Sequence, residues 1–213
     1  MGYADKIFPM INDLALRKAT PYRSRLLAKA HGNVLELGMG SGLNLEHYDP
    51  PRVERVIGVE PDDTMWARAQ ERAHELRAHG MRTDRTSVEV ERIDAYGEDL
   101  PLADESVDTA VSTFVLCSVR QPSQVLSELH RVVRPGGRLL VMEHVRHPSR
   151  FIAGAQRLVT PVWKRCLAGC HPGRKLQEVF DASDWEPVEV DFVELPGLPS
   201  IVDYHLVGEY RRG

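Results

Sequence analysis

The sequence predicts an α/β fold: a doubly wound, mostly parallel sheet of seven strands, with helices on both faces and a C-terminal antiparallel hairpin. Apolar runs alternate with helical patterns over residues 33–147, which is typical of a parallel sheet with crossover helices. The fourth strand segment is apolar nearly throughout, as expected where both faces of a sheet are covered. With 213 residues, 42% of them hydrophobic, and no linker, the chain predicts one domain, 1–213.

The first half of the chain supplies three strands. The segments "NVLELG", "RVERVIGVEP" and "TSVEVERI" have the length and β-branched content of strands. Between the first two, "LNLEHYDP" leaves room for only a short helix. After Pro61, aspartates that can cap a helix precede apolar residues on one helical face, and Gly80 is predicted to end that helix. The residues of this face are Met65, Ala69, Ala73 and Leu76.

The next two strands flank a second helix. "SVDTAVSTFVL" is predicted to be the fourth strand and "GRLLVMEHV" the fifth. Pro122 can open the helix between them, and "RPGG" closes it. Its predicted inner face consists of Val125, Leu129, Val132 and Val133.

The two ends of the chain differ from this alternating core, residues 32–147. Residues 148–185 read as helical with an interruption at "GCHPGR", and "EPVEVDFVEL" and "IVDYHLVGEY" predict a hairpin that ends the sheet. Residues 148–213 are therefore assigned to the substrate side. Residues 1–31 predict one or two helices broken at Pro21. Because they have no place in the sheet, we expect them to form a lid over the site.

Composition excludes several classes of protein. The net charge of −4 argues against a nucleic-acid binder. The N-terminus has neither a signal peptide nor a transmembrane run, which predicts a cytoplasmic protein without an integral membrane segment. Three cysteines suit a reducing compartment. Cys166, Cys170 and His171 have helical spacing, but no second cluster completes a ligand set, so no metal site is predicted. The sequence carries no signal of oligomeric state.

The stretch "VLELGMGSGLN", residues 34–44, ends the first strand in three alternate glycines. Ligands of such sheets bind beyond the carboxyl ends of the strands, where a glycine turn lets them approach the backbone. The dinucleotide pattern G-x-G-x-x-G fails because Leu43 takes the third position, which disfavours a nicotinamide-dependent oxidoreductase. No Lys-Ser or Lys-Thr follows, so a nucleotide triphosphatase loop is excluded. The alternative to a ligand-binding loop is a tight turn whose glycines serve packing alone.

A carboxylate ends the second strand. Glu60 lies where an acidic side chain can accept hydrogen bonds from both hydroxyls of a ribose. This residue indicates an adenosine cofactor without specifying which one.

Three further stretches, "GEDLPLADESVD", "STFVLCSV" and "VLSELHRVVRPGGRLLVMEHV", follow the glycine motif in order. Together the four resemble class I S-adenosylmethionine-dependent methyltransferases, of the type 11-like group, over roughly residues 30–147. The resemblance implies a Rossmann-like fold, S-adenosylmethionine as cofactor and S-adenosylhomocysteine as product. Within this class, "VLCSV", "RVVRPGGRLLVMEHV", "GED" and a late "GC" resemble the methyltransferase-like seven group of vertebrate thiol S-methyltransferases and their bacterial relatives.

The resemblance also implies roles for residues. Gly38, Gly40 and Gly42 would let the backbone approach the methionine half of the cofactor, and Glu36 would orient that loop near the amino group. The ribose and adenine would be contacted by Glu60, Pro61, Asp62 and Met65. The adenine edge would face Gly97 and Glu98, with Asp94 and Tyr96 competing for that contact. The cofactor's other side would be lined by Thr113, Phe114 and Leu116.

Two departures from the group bear on the acceptor. We expect the chain to lack the membrane-anchoring N-terminal segment of the vertebrate proteins, and "GCHPGR" replaces their Gly-Cys followed by a Thr-Arg or Asn-Arg type sequence. Both departures leave the cofactor assignment intact. His144 and His171 are the predicted catalytic or steering residues. For His144 the alternative is a hydrogen-bonded strand end, and Glu143 and Cys117 also have structural interpretations, as a cap and as a packing residue.

The predicted function is therefore metal-independent methyl transfer to a small-molecule acceptor, by in-line attack on the sulfonium methyl group. A thiol is the first acceptor, by resemblance alone. The alternatives are carbon or oxygen methylation of a quinone-like or phenolic acceptor, and nitrogen methylation of a phospholipid head group. A protein that binds S-adenosylmethionine without catalysis is the alternative from a different class.

Overall fold

A single mixed sheet organises the protein. The structure, a computed structural model, describes residues 16–78, 89–167 and 169–213. In these ranges the strand order is β3-β2-β1-β4-β5-β7-β6, with β1 to β5 parallel and β7 antiparallel to both of its neighbours. The strands are β1 Gly32–Leu37, β2 Val53–Val59, β3 Glu89–Ile93, β4 Val107–Thr113, β5 Val133–His144, β6 Trp185–Glu194 and β7 Tyr204–Arg212. The predicted seven-stranded sheet and its C-terminal hairpin are confirmed.

Helices cover the sheet on both faces. They are α1 Thr20–Leu27, α2 Asp63–Ala78, α3 Pro122–Val132, α4 Arg150–Cys166 and α5 Leu176–Asp181, with short 3-10 turns at Arg17–Ala19 and Leu45–His47. The strand order reverses between β1 and β4, so the crevice for a ligand lies beyond the carboxyl ends of these two strands. The predicted Gly80 helix end and the first residues of the predicted third strand lie outside the described residues.

Two apolar cores, one on each face, hold the helices to the sheet. On one face, Leu35 and Leu37 pack with the inner side of α3 and with α5. On the other, Val34 packs with α1 and with Ala69 of α2. Successive β1 side chains thus enter opposite cores, which explains why this strand is apolar without alternation. In α3, burial of Val125, Leu126, Leu129 and Val132 contributes about 1.5–3 kcal/mol for each side chain.

Two strand boundaries differ from those predicted. β4 ends at Thr113 because Phe114 takes a φ of 62°, and the chain then turns. β5 begins at Val133, before the predicted "GRLLVMEHV". At Gly137 a Cβ would lie 2.8 Å from the carbonyl oxygen of Asp108. The β4–β5 pairing jumps here from Val133 to Arg138, and Gly136 takes a φ of 75°, so the glycines form an irregular turn within β5 and do not pair with β4.

The described part of the N-terminal segment lies on the second face of the sheet. Pro21 lies in the first turn of α1 and opens this helix, where its missing N–H costs nothing. Leu26 and Leu27 of α1 join the apolar core beneath it. The lid stays a prediction, since residues 1–15 lie outside the described residues. In the ranges that are described, no helix is long and apolar enough to span a bilayer, and the cytoplasmic location stays a prediction.

Candidate functional site

The glycine loop after β1 has the backbone conformation that its sequence suggested. Gly38, Gly40 and Gly42 have φ angles of 56°, 59° and 75°. At Gly38 and Gly42 a Cβ would overlap neighbouring side chains, whereas at Gly40 the nearest atom is the Met65 methyl carbon at 3.4 Å. The outer two glycines therefore allow tight packing. Gly40 leaves the backbone open on the side where a ligand is predicted.

Replacing Gly42 with alanine tests this packing. A Cβ there would lie 2.9 Å from Leu45 and 3.2 Å from Ala69, in a backbone conformation that strains an L residue. We expect the free energy of unfolding in urea to fall by about 1–3 kcal/mol. Gly136→Ala is the matched control, because Gly136 also has a φ of 75° but no atom within 4 Å of the added Cβ. Equal losses in both variants would contradict the packing role.

Glu60 is bound to the glycine loop. Its Oε2 accepts a 2.7 Å hydrogen bond from the Gly40 N–H, and its Oε1 accepts a 3.0 Å bond from the Asp62 N–H. Burial raises the pKa of Glu60, although these two N–H groups oppose the rise. A carboxylate has about four lone-pair sites, so both oxygens can still accept from the hydroxyls of a ribose. Glu60 thus joins the loop after β1 to the start of α2.

Glu36 forms a buried polar network beneath the loop. Its oxygens accept hydrogen bonds from Tyr48 Oη at 2.7 Å and Asn44 Nδ2 at 3.0 Å, and the same Nδ2 lies 3.0 Å from Thr113 Oγ1. Burial raises the pKa of Glu36 to about 7, against the effect of both donors. The sequence motif identified Glu36, whereas Asn44 and Tyr48 had no pattern that singled them out.

Asn44 Oδ1 provides a test of whether the predicted cofactor fits. This oxygen is buried and has no hydrogen-bond partner in the described part of the chain. An orphaned acceptor beside a buried carboxylate suits an ammonium group, which donates and is positively charged. The residues present therefore fit the amino acid end of S-adenosylmethionine.

The predicted adenine contacts divide into two groups. Pro61 is exposed and Met65 half-buried beside the loop, as a cofactor contact requires. Gly97 is buried, where a Cβ would lie 2.7 Å from a methyl group of Leu37. Glu98 Oε1 accepts hydrogen bonds from the backbone N–H groups of Arg120 and Gln121 at the start of α3. Because Glu98 is engaged there, we expect Asp94 or Tyr96, both exposed in the segment after β3, to contact the adenine edge.

The turn after β4 depends on the carboxylate of Glu143. This fully buried side chain accepts hydrogen bonds from Ser112 Oγ and from three successive N–H groups, those of Val115, Leu116 and Cys117, at 2.8–3.1 Å. Leu116 is itself fully buried, so its side chain belongs to the core. Glu143 therefore has a structural role, but it caps the turn after β4 and not a helix.

Phe114 departs from ordinary backbone geometry next to this turn. A positive φ is rare for an aromatic residue, and such strain concentrates at functional sites. Its ring packs edge-on against His205 at 5.4 Å, and the guanidinium of the buried Arg23 lies 6.0 Å from the ring centroid. Arg23 and His205 were not predicted from the sequence. They come from α1 and β7, far apart in the chain.

His144, at the end of β5, lies in a cluster of histidine and cysteine side chains. Its Nε2 is 3.2 Å from the carbonyl oxygen of Ile201, and its Nδ1 is 3.6 Å from Cys170 Sγ. Cys170 Sγ is also 3.7 Å from Cys117 Sγ. The Cys117 thiol, and then His144, lower the pKa of Cys170 to about 5 although burial opposes this. Both ring nitrogens of His144 thus already have partners within the protein.

His171 lies in the "GCHPGR" loop beside this cluster. Its backbone N–H donates to the Cys117 carbonyl oxygen at 2.9 Å, and Arg174 donates to the carbonyls of Leu116 and Val119. Burial, followed by the charges of Arg174 and Lys164, lowers the pKa of His171 to about 4. Its imidazole is therefore neutral at pH 7. The structure brings this loop against the turn after β4.

Comparisons with known proteins agree with this geometry. The model of a family described as "Methyltransferase domain" matches residues 35–141. Thiol S-methyltransferase TMT1B of Rattus norvegicus is 35% identical over 179 residues, which cover 83% of this chain and 69% of that protein. Phosphatidylethanolamine N-methyltransferase of Cereibacter sphaeroides is 34% identical over 126 residues, or 59% of this chain and 57% of that protein.

A solved structure extends the likeness to the whole fold. The putative methyltransferase in a complex with the Haloferax volcanii Trm112 methyltransferase activator superposes with a TM-score of 0.69. The match covers 100% of this chain and 98% of that one at 16% identity. At this identity the likeness shows the fold alone, and the fold is Rossmann-like.

Proposed function

The chain belongs to the methyltransferase domain family, and from that premise we propose that it methylates the sulfur atom of a small thiol. It is an S-adenosylmethionine-dependent methyltransferase, so the acceptor is the part that is proposed. Support comes from the thiol S-methyltransferase relative, whose likeness to this chain extends over 83% of its residues.

The observation that favours a thiol is the weakness of the bases at the acceptor side. His205, like His171, has its pKa lowered to about 4, first by burial and then by the neighbouring His144. Both imidazoles are neutral at pH 7 and accept protons poorly. An alcohol needs a strong base to become a nucleophile, whereas a thiol with a pKa of about 8.5 ionises with little help.

The residues that would hold the cofactor have separable tasks. Glu36 and Asn44 would bind its amino group, Glu60 its ribose, and the backbone at Gly40 would pass close to it. When bound, S-adenosylmethionine supplies a methyl group activated by the positive charge of its sulfonium. Positioning of the acceptor and exclusion of water can then provide most of the catalysis.

His144 and His171 are proposed to steer the acceptor. Because both nitrogens of His144 have partners in the protein, this residue is suited to fixing the position of Cys170 and the adjoining wall of the site. His171 is neutral and only half-buried, so it can offer a hydrogen bond to an incoming thiol.

The affinity for S-adenosylmethionine is expected to rise with pH. Because the pKa of Glu36 in the folded protein is about 7, its carboxyl group stays protonated at pH values well above its ordinary pKa of 4.5. This retained proton stabilises the folded state at low pH, and the stabilisation is lost as the pH rises from 4.5 through 7. A cationic amino group binds the deprotonated form. Below pH 7 the affinity of the wild type, measured by calorimetry, should fall about tenfold for each pH unit.

The variant Glu36→Gln should bind S-adenosylmethionine more weakly than the wild type at pH 8, and its affinity should not change with pH. An affinity that still depends on pH in this variant would exclude Glu36 as the cause.

The acceptor is tested directly by the release of S-adenosylhomocysteine. The purified protein is offered a small alkyl thiol, a phenol, a reduced quinone and a phospholipid in parallel. We expect release with the thiol, with a rate that rises towards the thiol pKa because the thiolate attacks. Release with a different acceptor alone would overturn the thiol proposal. Tight cofactor binding with no release from any acceptor would support the non-catalytic alternative.

Nitrogen methylation of a phospholipid head group is the second candidate. It is favoured by the likeness to the Cereibacter sphaeroides enzyme, although the matched region covers 59% of this chain against 83% for the thiol enzyme. An amine acceptor must lose its proton before it attacks, which the weak bases described above serve poorly. The phospholipid arm of the same assay distinguishes the two candidates.

A further inference from the structure

Helix α4 presents its apolar side chains to solvent. Phe151, Leu158 and Val162 are 86%, 81% and 68% exposed, and spacings of seven and four residues place them in one line along the helix. A surface helix of a globular protein ordinarily turns such a stripe towards the core. Here one apolar stripe faces outward, while Ile152, Val159 and Trp163 of the same helix are half-buried.

Polar contacts hold the helix in this orientation. The residues of α4 that are buried are Ala153 and Gln156. The Gln156 side chain accepts the His147 N–H at 3.0 Å and donates to the carbonyls of Ile201 and Val145. A fully buried amide with several fixed partners determines which side of the helix faces the protein. The fold thus fixes the apolar stripe in its outward orientation through the hydrogen bonds of Gln156.

A basic stripe runs beside the apolar one. Arg150, Arg157 and Lys164 recur at intervals of seven residues, so they share one side of the helix, and Arg165 follows. All four are exposed, and the 17 residues of α4 include no Asp or Glu. This contrasts with the chain as a whole, whose net charge is −4. Positive charge is therefore concentrated where the apolar side chains emerge.

We propose that α4 is an interfacial helix that binds the surface of a bilayer containing anionic phospholipids. An amphipathic helix lies in the plane of the interface, with its apolar residues among the acyl chains and its basic residues at the head groups. Each Lys or Arg near an anionic surface adds to the electrostatic attraction. At 17 residues with four charges, α4 suits lying on a membrane rather than crossing one.

Charge distinguishes this occupant from a second copy of the chain. A two-fold dimer through α4 would bring a patch against the same patch of its partner, so like charges of the two basic stripes would meet. An anionic surface instead complements the stripe along its whole length. The negative charge of the rest of the molecule opposes adsorption through other faces.

The position of α4 gives this binding a consequence for the acceptor. The helix follows His144 at the end of β5 and leads into the loop that carries Cys170 and His171. Docking through α4 would therefore hold the acceptor side near the bilayer, where apolar acceptors concentrate. Membrane binding itself does not depend on which atom is methylated.

The test is co-sedimentation of the full chain with vesicles of phosphatidylcholine alone or of phosphatidylcholine with phosphatidylglycerol. We expect binding to the anionic vesicles, reduced by salt, and at least about tenfold weaker in Phe151→Ser and Leu158→Ser because each exposed side chain would otherwise enter the bilayer. Arg157→Gln with Lys164→Gln should reduce binding to the anionic vesicles. Val188→Ser is the matched control, because Val188 is 51% exposed and lies on β6 instead of α4.

Several results would overturn the proposal. They are an absence of vesicle binding by the wild type, equal binding to neutral and anionic vesicles, or unchanged binding in the α4 variants. A dimer in light scattering that the same substitutions dissociate, without vesicle binding, would assign the stripe to a second copy instead. Circular dichroism and thermal unfolding check that each variant is folded. We expect all of them to fold, because the substituted side chains are exposed to solvent.

Discussion

Replacing Glu60 with alanine is expected to weaken S-adenosylmethionine binding about a hundredfold or more. The variant loses the predicted hydrogen bonds to the ribose. It also frees the N–H groups of Gly40 and Asp62, which Glu60 holds at 2.7 and 3.0 Å, so the glycine loop is no longer fixed to the start of α2. Hydrogen bonds to a charged group contribute about 1.5–3 kcal/mol each, and 1.4 kcal/mol corresponds to a tenfold change in affinity.

Calorimetric titration with S-adenosylmethionine and S-adenosylhomocysteine measures this effect. Asp63→Asn is the control, because Asp63 begins the same helix and pairs with Arg92 while remaining 90% exposed. Glu60→Gln should lie between the wild type and Glu60→Ala, since one acceptor oxygen is kept. If Glu60→Ala and Asp63→Asn bind the cofactor equally well, the ribose assignment is wrong.

Glu143→Ala is expected to cause a large loss of stability, about 3–5 kcal/mol in the free energy of unfolding. The substitution leaves three backbone N–H groups, those of Val115, Leu116 and Cys117, without their acceptor in a buried turn. Each buried donor left unpaired costs about 1–3 kcal/mol, and entry of water into the vacated space offsets part of the sum. Urea denaturation measures the loss.

Glu143→Gln separates the hydrogen bonds from the volume of the side chain. An amide retains the oxygen that accepts from Val115 and Leu116 but points an N–H towards the Cys117 N–H, so an intermediate loss is expected. Glu71→Ala, at an exposed position on α2, should change stability by less than about 0.5 kcal/mol. A loss at Glu143 no larger than that at Glu71 would refute the capping role.

Residues whose roles depend on local pattern could be predicted from the sequence. The strands are apolar runs of the right length, and the three glycines are followed by no side chain that suits a phosphate loop. Glu36 and Glu60 lie within or directly after strands, so their place at the sheet edge follows from the strand assignment. The hairpin of β6 and β7 was predicted because a Pro-Gly turn separates two alternating segments.

Residues whose roles depend on contacts between distant segments could not be found this way. Cys170, His144 and Cys117 meet from a loop, a strand end and a turn, and no short spacing relates them. Phe114 favours extended backbone by its residue type, so nothing in the sequence signals its positive φ. Glu98 belongs to the family motif, but its hydrogen bonds to the start of α3 depend on where that helix packs, which the motif does not specify.

The place of β7 has a consequence for biosynthesis. This strand is the last of the seven along the chain, yet it lies inside the sheet, between β5 and β6. During translation the edge of β5, whose residues from Leu139 to His144 are buried in the finished protein, stays unpaired until β7 leaves the ribosome. An open apolar edge is a template for wrong pairing. The edge of β5 is therefore open to wrong pairing until the hairpin has been synthesised.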